Sequence, residues 1–141
     1  MLRPIKIRQY LAAMQARGFN AAQVLAGSGL KASELADPAC LIDLEQFDAI
    51  AANVVALTGD TGIGLEIGKS TTITAAGIVG YAMATSAIFR EAISLWLQYG
   101  NAPLGLPIRQ TLIEEDGGSW GVTVTQVSAK LSLFPFYFEE A

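Results

Sequence analysis

Apolar residues recur every three or four positions through the first two thirds of the chain and every second position after Gly100, so helices are predicted first and strands later. Ile7, Leu11 and Met14 fall at i, i+4 and i+7. They predict an amphipathic helix that tolerates Pro4 in its first turn and stops at Gly18. Asn20 is a good N-cap for a short helix over 21–26, closed by Gly27 and Gly29. Ser33, Glu34 and Leu35 make one turn, broken at Asp37-Pro38. Asp43 caps a longer helix with a buried stripe of Phe47, Ile50, Val54 and Leu57. Glu45 lies in its first turn, where the helix dipole favours a negative charge, and Thr58-Gly59-Asp60 ends it.

The stretch 74–100 reads as the centre of the fold. Residues 75–84 carry no charge on any face, which predicts a helix buried all round. Gly77 and Gly80, three apart, share a face and would let a neighbouring backbone come close, offsetting a propensity cost of roughly 1 kcal/mol each. Thr85 and Ser86 offer an N-cap for a second helix, whose apolar stripe is Phe89, Ala92, Ile93, Trp96 and Leu97. Gly100, Asn101 and Pro103 stop it.

Beyond this point Leu106, Ile108, Gln110 and Leu112 alternate with Pro107, Arg109, Thr111 and Ile113, and Trp120, Val122 and Val124 alternate with Gly121, Thr123 and Thr125. With Glu115-Asp116-Gly117-Gly118-Ser119 between them, they predict a β-hairpin with strands near 106–113 and 120–127. A lone hairpin is marginal, so it must pack on the helices or join more strands. The fold class expected is α+β, an N-terminal helical cluster packed on an antiparallel hairpin or small sheet. Pro135 argues against a central strand in the aromatic tail LFPFYFEEA, which should seek a partner.

Composition narrows the function. The 141 residues suffice for one domain, with 52% hydrophobic and only 16% charged residues, which excludes disorder and points to extensive burial or an interface. The net charge of −4 argues against a nucleic-acid binder. Arg3, Lys6, Arg8 and Arg17 make the first helix basic, but four charges on one helix read as a solvated face. The N-terminal apolar run is too short for a signal peptide, and 75–84 is far below a membrane span of about 18 residues, so a soluble, cytoplasmic protein is expected.

Histidine is absent, which rules out nucleophilic catalysis with a His base. Cys40 is the single cysteine; it sits among apolar neighbours, can form no disulfide within the chain and cannot make a zinc site. Residues 59–70, GDTGIGLEIGKS, are glycine-rich, but their spacing misses both nucleotide-binding fingerprints and a helix stands where a strand is needed. They read as a loop with a helical turn over 63–67. The carboxylates Glu114, Glu115, Asp116 and the pair Glu139, Glu140 read as solvated charge. No catalytic residue, metal or cofactor is therefore expected. A small-molecule pocket is suggested by Tyr81, Trp96, Tyr99 and Trp120 with Arg109, and it should lie between the 86–99 helix and the hairpin. The alternative is that both tryptophans are ordinary core and Arg109 faces solvent.

The run Gly77, Gly80-Tyr81, Ser86, Phe89, Glu91-Ala92 and Tyr99 resembles the mostly helical, arabinose-binding type of N-terminal regulatory domain found in AraC-type transcriptional regulators. Leu57-Thr58-Gly59-Asp60, Gly64-Leu65 and Gly68 resemble it too, as do Gly18-Phe19, Leu25 and Gly29-Leu30. Ile88 departs from the family, which often has Thr there, and would shift the cap back to Ser86. The resemblance implies an effector-sensing, self-associating domain, a homodimer, with an unidentified small molecule as ligand and no enzymatic activity. DNA would be bound only through a C-terminal helix-turn-helix domain absent from these residues, and the chain would end inside the domain as the family builds it. The rival reading is a stand-alone small-molecule carrier or an enzyme; a helix-turn-helix continuation of the reading frame would discriminate them.

Overall fold

The computed structural model describes residues 1–100, 107–114, 120–128, 133 and 135–137, the side chains of 100, 120 and 126 excepted. Local sequence signals set the first helices. α1 (Ile5–Ala16) starts after Pro4, and the chain leaves it through Gly18 at φ 89°. α2 (Ala21–Val24) opens with a reciprocal capping box. The Asn20 side chain accepts the Gln23 N–H at 2.9 Å, and Gln23 Oε1 accepts the Asn20 N–H. α3 (Leu44–Thr58) repeats the device with Asp43 and Gln46 and ends on left-handed Gly59. The glycine-rich segment forms a full helix, α4 (Ile63–Ser70), longer than the turn expected over 63–67. The Asp60 carboxylate accepts the Gly62 N–H at its start.

The core lies among these four helices. Ile7, Tyr10 and Met14 of α1 meet Phe47, Ile50, Ala51 and Val54 of α3, with Ile63 and Ile67 of α4 closing one side. Each such aliphatic or aromatic side chain contributes on the order of 1.5–3 kcal/mol by leaving water. Asn53 of α3 donates to the Val24 and Ala26 carbonyls, satisfying the open end of α2. Leu2 and Ile42 exchange backbone hydrogen bonds, so the first residues are tied beside the entry to α3.

Phe136 and Tyr137 of the aromatic tail complete this core rather than seeking a partner outside it. Residues 135–137 are helical, and Phe136 and Tyr137 are buried. The Phe136 ring meets Tyr10 edge-on at 5.6 Å, and Tyr137 packs on Phe47 at 5.7 Å. The Tyr137 hydroxyl donates to Asp48 at 2.7 Å. Gly64 is what lets the segment in: a Cβ there would stand 2.6 Å from the Phe136 carbonyl oxygen.

β1 (Ile108–Glu114) and β2 (Trp120–Gln126) form the expected antiparallel hairpin, in the register Ile108↔Gln126 to Glu114↔Trp120. Leu106 and the turn at 115–119 lie outside the described residues. The hairpin packs on the helical cluster: Ile108 is buried in the core and Val124 rests against it.

The stretch 74–100 departs most from expectation. It is not the buried centre. Gly77 adopts φ 61° and divides it into a 3-10 turn (Ile73–Ala76) and a short helix, α5 (Ile78–Ala84). Ile78 is 85% exposed and Tyr81 63% exposed, because the core volume is already filled by α1, α3, α4 and the aromatic tail. Gly80 does serve close packing, since a Cβ there would collide with the Ile73 carbonyl oxygen. Ser86 does not cap the next helix. Its hydroxyl donates back to the Ala82 carbonyl and Thr85 donates to Tyr81, so both finish α5. α6 (Phe89–Leu95) begins at Ile88 with no side-chain cap, while the Glu91 carboxylate accepts the Ala87 N–H. Trp96–Gly100 continues as a π-helical turn.

Candidate functional site

The inward face of β1 follows the expected alternation, with Ile108, Gln110 and Leu112 turned toward the protein and Arg109, Thr111 and Ile113 exposed. One of these inward positions is polar. Gln110 exists there because Trp96, half-buried at the start of the π-helical turn, needs an acceptor: its indole N–H donates to Gln110 Oε1 at 2.6 Å. Arg90 of α6 pairs with Glu114 at the far end of the same strand. These two contacts seam α6 and the π-helical turn to the hairpin.

Among the candidate residues, Trp96 therefore lies on the seam. Tyr99 is 50% exposed at the end of the π-helical turn, and Tyr81 projects from α5 into solvent. Arg109 occupies the opposite face of β1 from Gln110. Trp120 pairs with Glu114 in the strand register, and its side chain lies outside the described residues. The structure thus joins Trp96 to Gln110 and leaves Tyr81 and Arg109 apart from that pair. Gln110 was the residue missed; its signal was a polar side chain at an inward position of an alternating strand.

Two open grooves flank the seam and the core. One of about 470 Å³ runs along the polar side of α6, lined by Ser86, Arg90, Glu91, Ser94, Leu95 and Gln98. Another of about 710 Å³ lies at the start of α3, lined by Met1, Asp43, Leu44, Glu45, Asp48, Ala49 and Ser128. Of its carboxylates, Asp43 serves the helix cap and Asp48 accepts the Tyr137 hydroxyl. Neither groove is walled by both α6 and the hairpin.

Of the four cations at the basic face of α1, Arg3, Arg8 and Arg17 are exposed as expected, and Lys6 departs from the pattern. Lys6 is buried, Arg3 donates to the Pro38 carbonyl, and Arg8 donates to the Leu35 carbonyl at 2.7 Å. Arg17 pairs with Glu66. Arg3, Arg8 and Arg17 thus tie α1 and its flanks to neighbouring segments. By contrast, Ser70 to Phe89 carries no charge at all, and Ile73, Ile78, Tyr81, Ile88 and Phe89 are exposed along it. Among the described residues, no three His, Cys, Asp or Glu side chains converge as metal ligands, and no single helix is long and apolar enough to cross a membrane.

A family model described as the N-terminal arabinose-binding domain of AraC transcription regulators matches residues 18–136. An uncharacterized HTH-type transcriptional regulator of Mycobacterium tuberculosis is 30% identical over 84 residues, which cover 59% of this chain and 24% of that protein. The ornithine utilization regulator of Pseudomonas aeruginosa is 35% identical over 71 residues, 50% of this chain and 21% of the relative. The chain thus matches about a quarter or less of the length of these relatives. No solved structure matches it significantly.

Proposed function

The chain belongs to the family of arabinose-binding N-terminal domains of AraC transcription regulators, and from that premise we propose that it is the effector-sensing and self-associating part of such a regulator. The observation that carries the reading is the family match over 18–136, joined to a long uncharged stretch whose apolar side chains face solvent. An exposed apolar patch of that kind is the ordinary mark of an association surface, and a second copy of the chain, giving a homodimer, is the occupant proposed for it. DNA would be engaged by a separate helix-turn-helix domain, in the cytoplasm. The acidic balance and the intramolecular engagement of Arg3, Arg8 and Arg17 fit a chain that does not itself read DNA.

The effector is a small molecule held where α6 meets the hairpin, with Trp96 and Tyr99 as its aromatic wall. Tyr81, Arg109 and Trp120 complete the proposed set. Binding that favours one arrangement of α6 against β1 would shift the regulator between states that hold DNA differently. The domain performs no catalysis in this scheme.

The test is a thermal-shift screen of the full-length protein against metabolites, with ornithine included because of the Pseudomonas relative's name. A ligand at 100-fold excess over its dissociation constant should stabilise the folded state by roughly 2.7 kcal/mol. Tyr99→Phe, which deletes only a hydroxyl, should weaken that gain. A bound structure that places the ligand against 59–70, away from α6, would defeat the assignment of the site.

A further inference from the structure

The buried cluster draws on α1, α2, Leu35, Ile42, α3, α4, Ile108, Phe136 and Tyr137, and the half-buried apolar residues packed against it come from these same regions, their flanks and Val124 of β2. Among the described residues, none of either group lies between Ile67 and Ile108. Ala76 and Ala92 are buried, yet apart from that cluster. α5 packs on the preceding 3-10 turn, on α6 and on the π-helical turn, and the π-helical turn packs on β1. The turn and α5 are themselves locked together, because Gly80 abuts the Ile73 carbonyl. Thr71 and Thr72, which join this assembly to α4, are both extended, at ψ 120° and 150°.

We propose that residues 73–100 form a module that undocks from the core as one unit, hinged at Thr71–Thr72 and latched to β1 by the Trp96 indole on Gln110. The Arg90–Glu114 pair adds little, since both side chains are about half exposed and such pairs contribute weakly. The indole bond is short and half-buried, so it is the part of the latch whose loss should register. β1 is suited to transmit the state of the latch, because Ile108 at its first position is embedded in the core two residues before Gln110. No residue of the module belongs to the buried core cluster, so undocking leaves that cluster intact and costs less than global unfolding. The device stands whether or not an effector binds at the seam.

Hydrogen exchange measured by mass spectrometry on the 141-residue chain tests it. Amides inside the module, such as Tyr81, Thr85 and Ala92, should exchange together and at least about 10-fold faster than those of α1 and α3, with a shallow denaturant dependence that marks local opening. Gln110→Ala should accelerate exchange across 78–95 by about 2- to 10-fold, the span expected for one net hydrogen bond, and leave α1 and α3 unchanged. Gln110→Glu keeps an acceptor and should exchange no faster than the parent. Module amides that share the protection and the steep denaturant slope of α3 in the unaltered protein would overturn the proposal, as would a Gln110→Ala variant that accelerates every helix equally.

Discussion

Replacing Gly64 with alanine separates two accounts of that glycine by the sign of the effect. Gly64 lies in α4, where Ala is favoured over Gly by about 1 kcal/mol in helix propensity. Propensity alone therefore makes Gly64→Ala stabilising. The packing says otherwise. The new methyl would sit 2.6 Å from the Phe136 carbonyl oxygen and 3.1 Å from Phe136 Cδ2. A carbon and a carbonyl oxygen approach comfortably to about 3.3 Å, so α4 and the 135–137 segment must part by about 0.7 Å. That segment has little freedom to retreat. Phe136 is held edge-on against Tyr10 and Tyr137, at 5.6 Å from each, and Tyr137 is bonded to Asp48. Overpacking of this kind costs about 1–3 kcal/mol, and the upper end applies where the opposing atom is backbone. The net expectation is a loss of about 2 kcal/mol, or a fall of roughly 6 °C in melting temperature for a domain of this size. Urea titration followed by Trp fluorescence and far-UV dichroism measures it, with Gly62→Ala as control, since a Cβ there meets only Asp60 at 3.4 Å. An unchanged or raised midpoint for Gly64→Ala would refute the close crossing of α4 and the C-terminal segment.

Tyr137→Phe should cost about 1 kcal/mol by removing its hydrogen bond to Asp48, read from the same titration with an unchanged slope. Sedimentation velocity should show a dimer at high concentration, and Ile78→Glu, which puts a charge on the uncharged exposed stretch, should shift it to monomer without lowering the denaturation midpoint. Sedimentation that finds only monomer at any concentration would refute the association. In a gel shift, the chain should show no sequence-specific DNA complex that survives ~200 mM salt, where weak phosphate attraction is lost.

The elements that the sequence made legible are those whose signals are local. Asn20 with Gln23 and Asp43 with Gln46 carry their caps within three residues, and the period-2 alternation of β1 and β2 marked the hairpin and its register face. The stretch 74–100 was misread because an uncharged helix carries the same pattern whether its own protein covers it or nothing does. Gly77 and Gly80 look alike in sequence, yet one breaks the helix at positive φ and the other packs against a backbone. Phe136 and Tyr137 could not be placed because their partners, Tyr10 and Asp48, are far away along the chain. At the seam, Trp96 was legible as a large aromatic on a stripe, whereas Gln110 became meaningful only once its opposite number was known.

The meeting of Tyr10 with Phe136 also sets a timetable. A ribosome adds about 5–20 residues each second, so Phe136 is made some 6–25 seconds after Tyr10. During that interval α1, α3 and α4 can gather, but the aromatic cluster lacks Phe136 and Tyr137 and the slot over Gly64 stands open. The nascent chain therefore emerges with a greasy cleft beside a long uncharged segment, a combination that invites chaperones. Any pause in translation just upstream of Phe136 would prolong that exposure, and slowed synthesis there should lower the yield of native protein even though no residue has changed.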